Sequence, residues 1–112
     1  MSGITSGTVF YLDQMIGIKP NRIASRTLDF SEVADDRAGA PEWVLYAMDQ
    51  GETISSETSP ESKLIFVLEG ELHMLVDDMP CHLPQGASVC VKSDTWHEFA
   101  AQSSCKFLQI KI

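Results

Sequence analysis

Residues 64–68 read LIFVL, five apolar residues in a row, closed by Glu69 and Gly70. A strand sends successive side chains to opposite faces, so an unbroken apolar run of this length marks a strand covered on both sides. The next segment, residues 71–76, sets Leu72, Met74 and Val76 against Glu71, His73 and Leu75, the period of a half-buried strand. Asp77-Asp78 then reads as a tight hairpin turn, although glycine in second place fits such a turn better. A doubly covered strand beside half-buried ones requires a layered β fold.

The flanking sequence extends the same pattern. Residues 22–28 (RIASRTL) alternate as a first sheet strand, and residues 42–48 (EWVLYAM) are rich in aromatic and β-branched side chains. Residues 53–58 form a polar strand that Pro60 confines to an edge or a bend. Residues 79–83 (MPCHL) begin a return strand with Pro80 at its edge. Pro84-Gln85-Gly86 turns the chain, residues 88–91 form a strand, and Lys92-Ser93-Asp94 turns again. Residues 95–100 carry Trp96, His97 and Phe99, and residues 106–112 close the chain with Leu108, Ile110 and Ile112 on one face. Short strands with turns every eight to twelve residues specify an all-β sandwich or barrel. Residues 1–7 read as a loose tail. Residues 8–16 can open as a strand and close as a short helical turn, and residues 29–41 fit an exposed loop or short helical excursion. The whole is one domain of 112 residues, divided into the tail 1–7, N-terminal strands and loop 8–41, and a barrel core 42–112.

Charge narrows the partners. The net charge of −8 and a pI near 4.6 leave no basic surface for nucleic acid or for an anionic membrane. No apolar run reaches transmembrane length, and the N-terminus lacks the basic and apolar regions of a signal peptide. Cys81, Cys90 and Cys105 form no CxxC pair and read as reduced thiols of a cytoplasmic protein.

Gly51, the strand LIFVLEGEL, the turn at Gly86, and His97 fall at the spacing of the two signature motifs of the cupins, which this chain resembles from Val9 to Ile112. The segments ASRTL, VLYAMDQGETIS, TSP and CKFLQIKI resemble short single-domain cupins of bacterial type in particular. The resemblance implies a jelly-roll barrel. In the first cupin motif two histidines one residue apart bind a metal and a glutamate follows; those places fall on Glu57, Ser59 and Lys63. The single histidine of the second motif is kept as His97. Lys92 stands where the second motif usually has proline, Trp96 where it often has proline or a small apolar residue, and Ala101 where asparagine is common.

The matched positions therefore supply one imidazole and one carboxylate, short of the three protein ligands a catalytic metal needs. An inward ammonium at Lys63 would also repel a divalent cation. By alternation His97 and Phe99 share one face, and Trp96 and Glu98 the other. His97 can be a cavity-lining base or ligand, or a core histidine satisfied by a backbone or carboxylate group. Glu57, Lys63 and His97 can form an internal hydrogen-bonded triad, or Glu57 and Lys63 can face solvent beside Pro60, with Ser59 a neutral polar group in either case. His73 points away from the cavity, and His82 lies by a turn.

The expectation that follows is a cytoplasmic barrel that binds a small polar or zwitterionic molecule in a pocket of Glu57, Ser59, Lys63, His97 and Phe99, without a conventional catalytic metal. One alternative is a metal-dependent enzyme, of dioxygenase or isomerase type, that uses His97 and Glu57. Another is a structural or regulatory barrel filled by side chains. Short cupins of this kind are commonly dimers, which implies a homodimer with sheet-to-sheet contacts.

Overall fold

The computed structural model describes residues 4–34 and 42–112, excepting the side chains of Ser56 and Glu57. The described residues form nine strands: β1 (Ile23–Thr27), β2 (Trp43–Met48), β3 (Thr53–Glu57), β4 (Lys63–Glu69), β5 (Leu72–Val76), β6 (Met79–Leu83), β7 (Ser88–Val91), β8 (His97–Ala101) and β9 (Cys105–Lys111). They make two antiparallel sheets, one ordered β1-β2-β9-β4-β7 and the other β3-β8-β5-β6. The two sheets pack face to face as a jelly-roll barrel. Both proline-bearing or proline-flanked strands lie at edges as expected: β3, which precedes Pro60, and β6, which contains Pro80.

The hydrophobic run explains the layering. Ile65 and Val67 of β4 are fully buried between the sheets with Met48, Leu72, Met74, Val91, Phe99, Cys105 and Phe107. The opposite face of the same sheet is covered in part by the N-terminal segment. There Ile4 and Leu28 are buried against Leu45 and Leu108, with Leu12, Met15, Ile16 and Phe30 packed around them. Residues 8–16 thus resolve as a cover rather than a strand. Their one regular element is a single 3-10 turn, Leu12–Gln14, without a side-chain cap from Asp13. Two long cations hold it down: Arg26 Nη1 donates to the Met15 carbonyl at 2.8 Å, and Lys106 Nζ to that of Asp13 at 2.7 Å. Ile4 lies in the stretch expected to be a loose tail, yet it is buried, because an apolar side chain there completes this second cluster. Residues 31–34 form a turn, and the rest of the loop expected over 29–41 lies outside the described residues.

Two turns fix the strands that carry the site. The β5–β6 hairpin is closed by Asp77 and Asp78 at φ 50° and 65°, the pair of left-handed conformations of a type I′ turn. Gly70, between β4 and β5, has φ 78°, and a Cβ there would lie 2.2 Å from the Ser104 carbonyl oxygen. Only glycine fits. Among the described residues no helix is long and apolar enough to cross a membrane.

Candidate functional site

Lys63 opens β4 in phase with Ile65 and Val67, so its side chain enters the space between the sheets. It is 4% exposed. This corrects the solvent-facing alternative for Lys63: strand phase overrides the usual preference of ammonium for water. His97 opens β8, is 1% exposed, and points inward with Phe99, as alternation required. Trp96, just before it, is 58% exposed, and Glu98 is half-buried on the outer side.

Lys63 Nζ and His97 Nε2 are 3.1 Å apart. His97 Nδ1 lies 2.9 Å from the Thr95 carbonyl oxygen. A carbonyl only accepts, so Nδ1 carries the proton; in the neutral ring Nε2 is then the acceptor, and Lys63 donates to it. Both ring nitrogens are thereby engaged. Phe99 meets the imidazole edge-on, with ring centres 5.6 Å apart. Phe99 stacks on Phe107 at 5.3 Å, and Phe107 on Tyr46 at 5.0 Å, so a column of rings bridges the two sheets beside the pair.

Glu57 is placed by a bulge. Ile54 pairs with Phe99, but Glu57 pairs with His97, so three steps along β3 match two along β8. The extra residue brings the Glu57 backbone opposite His97. The side chain of Glu57 lies outside the described residues. Ser59 is half-buried, and its hydroxyl bonds Glu61, donating to Oε1 and accepting from the backbone N–H, each at 3.3 Å. The structure therefore brings Lys63, His97 and Phe99 together and binds the Ser59 hydroxyl to Glu61. Sequence reasoning missed the Thr95 carbonyl, which selects the tautomer, because a backbone acceptor leaves no trace in residue type. Val76, the register partner of His97, was legible only as a strand residue.

Charges around the pair are sorted. Lys111 is the register partner of Lys63 on β9. Its ammonium turns to Glu42 at 2.9 Å and Glu61 at 3.7 Å, and the hydrogen bond it donates to Glu42 raises its pKa above the ordinary lysine value. Among the described residues no group of three or more His, Cys, Asp or Glu side chains is placed to hold a metal ion. His73 and His82 lie on the outer face of the four-stranded sheet, away from the pair, and Cys90 is exposed on β7.

The comparisons with known proteins agree with this architecture. The chain superimposes over 100% of its length on a conserved protein of unknown function from Streptococcus pyogenes, at TM-score 0.83 and 20% identity, covering 95% of that chain. A cupin superfamily protein from Desulfitobacterium hafniense matches 99% of this chain and 95% of its own at TM-score 0.82 and 23% identity. Salicylate 1,2-dioxygenase from Pseudoaminobacter salicylatoxidans matches 88% of this chain, but only 29% of its own, at TM-score 0.72 and 13% identity. At such identities the likeness is one of fold. No curated protein matches the chain significantly. The cupin-domain family model matches residues 44–111, from β2 through β9 and across the segment that holds Lys63 and His97. With the two-sheet barrel and the spacing of its signature glycines in agreement, this chain is a member of the cupin family.

Proposed function

We propose that the protein is a small-molecule-binding cupin in which the Lys63–His97 pair takes the place of a metal centre. The observation that carries this reading is the 3.1 Å contact between Lys63 Nζ and His97 Nε2. A metal would need the Nε2 lone pair that Lys63 uses, and an ion there would sit beside an ammonium in a low-dielectric interior. Ser59, at the second matched ligand position, directs its hydroxyl to Glu61. The described residues at the matched positions thus do not fit a conventional cupin metal. They offer instead a cationic donor, an imidazole and the apolar faces of Phe99 and Val76, a mixture suited to a small polar or zwitterionic ligand.

Native mass spectrometry and elemental analysis of the protein as purified test the reading. A small organic mass that is retained by the parent and lost in His97→Ala and Lys63→Ala supports it. A stoichiometric metal that disappears in His97→Ala overturns it. A second reading, a structural barrel with a filled interior, is favoured by the ring column of Phe99, Phe107 and Tyr46. It is distinguished by the absence of any retained or added ligand.

The assembly belongs to the same proposal. Phe10 and Tyr11 are exposed beside Phe66 and Leu68 on the outer side of the five-stranded sheet, and the preceding Val9 is exposed as well. A second copy packed sheet to sheet would cover them, giving a homodimer. We place the protein in the cytoplasm, in keeping with its three free thiols.

A further inference from the structure

The outer face of the four-stranded sheet carries a second set of metal-binding side chains, remote from the Lys63–His97 pair. His73 on β5 and His82 on β6 are direct register partners. Their ring centres are 4.6 Å apart. With a metal–nitrogen bond of about 2.1 Å, two imidazoles bound side by side to one ion have their centres about 4.5–5 Å apart. Backbone pairing therefore already holds the two rings at the separation a shared ion demands.

Glu71 supplies what a pair of rings in edge contact alone does not require. Its Oε2 lies 2.5 Å from His82 Nε2. A carboxylate accepts, so Nε2 carries the proton and Nδ1 of the neutral ring is left with its lone pair. A carboxylate behind the far nitrogen of a histidine is the arrangement that orients metal-bound imidazoles and raises their basicity. The two rings also line a groove of about 620 Å³ across the sheet, together with Thr53, Ser55, Leu75 and Glu98. Water or a ligand in that groove can fill the remaining coordination positions. The net charge of −8 favours the approach of a cation.

We infer that His73 and His82 form a two-imidazole chelate for a divalent transition metal of the copper, nickel or zinc type, with Glu71 as the positioning carboxylate. The chelate has two protein ligands, in keeping with the lack of any larger ligand cluster among the described residues. Imidazole suits these ions, and copper heads their order of affinity.

Titration of the full-length protein with Cu2+ in a calorimeter tests the inference, beside His73→Ala, His82→Ala and Glu71→Gln. The expected result is one Cu2+ per chain, with affinity reduced at least about tenfold in either histidine variant. Glu71→Gln should keep the stoichiometry and weaken binding by about 10- to 100-fold. Electron paramagnetic resonance of the parent should show two coupled nitrogens, and either histidine variant one. Because both histidines face outward, circular dichroism should be unchanged. Parent-like affinity in both single variants, or a strong Cu2+ site that survives in the double variant, overturns the inference.

Discussion

Lys63 donates a 3.1 Å hydrogen bond to a His97 ring whose other nitrogen is already committed to the Thr95 carbonyl. The two side chains come from different sheets, one from each face of the barrel interior. Their pairing joins the layers at the place where the motif spacing puts the functional residues of this fold.

The two halves of the pair are not equivalent on removal. Lys63→Met removes the charge together with this donor to His97 Nε2, a cost of about 1–3 kcal/mol. His97→Ala leaves the buried ammonium without this acceptor and opens a cavity, so its cost is expected to be larger, about 3–5 kcal/mol. Urea denaturation of both variants checks the order. Equal and small losses would show that the pair contributes nothing to stability.

Phe99 is the hinge of the ring column, in contact with His97 on one side and Phe107 on the other. Phe99→Ala should destabilise by about 3–5 kcal/mol. Phe99→Leu should recover most of the stability yet loosen the imidazole, seen as broadened His97 ring signals in NMR spectra.

The β5–β6 turn holds two non-glycine residues in left-handed conformations. Replacing Asp77-Asp78 with Asn-Gly is expected to stabilise the protein by about 1 kcal/mol, with a matching rise in melting temperature. The converse change at Gly70, Gly70→Ala, drives a Cβ into the Ser104 carbonyl and should prevent accumulation of folded protein.

Asp49 anchors the turn after β2. It accepts from the backbone N–H of Asn21 and of Gln50 and from the Ser104 hydroxyl, and these bonds, that of Asn21 foremost, hold its pKa below the ordinary 3.8. A depressed carboxyl stabilises the fold above the unfolded value and loses that contribution as pH falls through the folded one. Asp49→Asn should therefore lower stability at neutral pH and flatten the loss of stability below pH 3.8. Parallel acid and neutral melts of parent and variant measure both effects.

Much of the fold was legible because turns and strand phase are local. The LIFVL run of β4 announced two covered faces, and Pro60 and Pro80 announced edges. Position within the site was less so. His97 could be turned inward by its phase with Phe99, but Lys63 stands just ahead of an apolar run, where charge and phase argue oppositely. Phase won because the chain supplies an acceptor from the other sheet. The bulge that sets Glu57 opposite His97 depends on pairing between β3 and β8 and has no signature in β3 itself. The pairing of His73 with His82 was hidden for the same reason: it follows from the register of the β5–β6 hairpin, not from either strand alone.

Long-range proton–nitrogen NMR of the histidine rings, recorded before and after addition of Zn2+, tests the central claim most directly. His97 is expected to show its proton at Nδ1, and to stay unchanged as Zn2+ is added because Lys63 holds Nε2. His73 and His82 are expected to shift together. A His97 ring protonated at Nε2, or one whose Nε2 signal moves on Zn2+ addition while those of His73 and His82 stay still, would contradict the account and return His97 to the role of metal ligand.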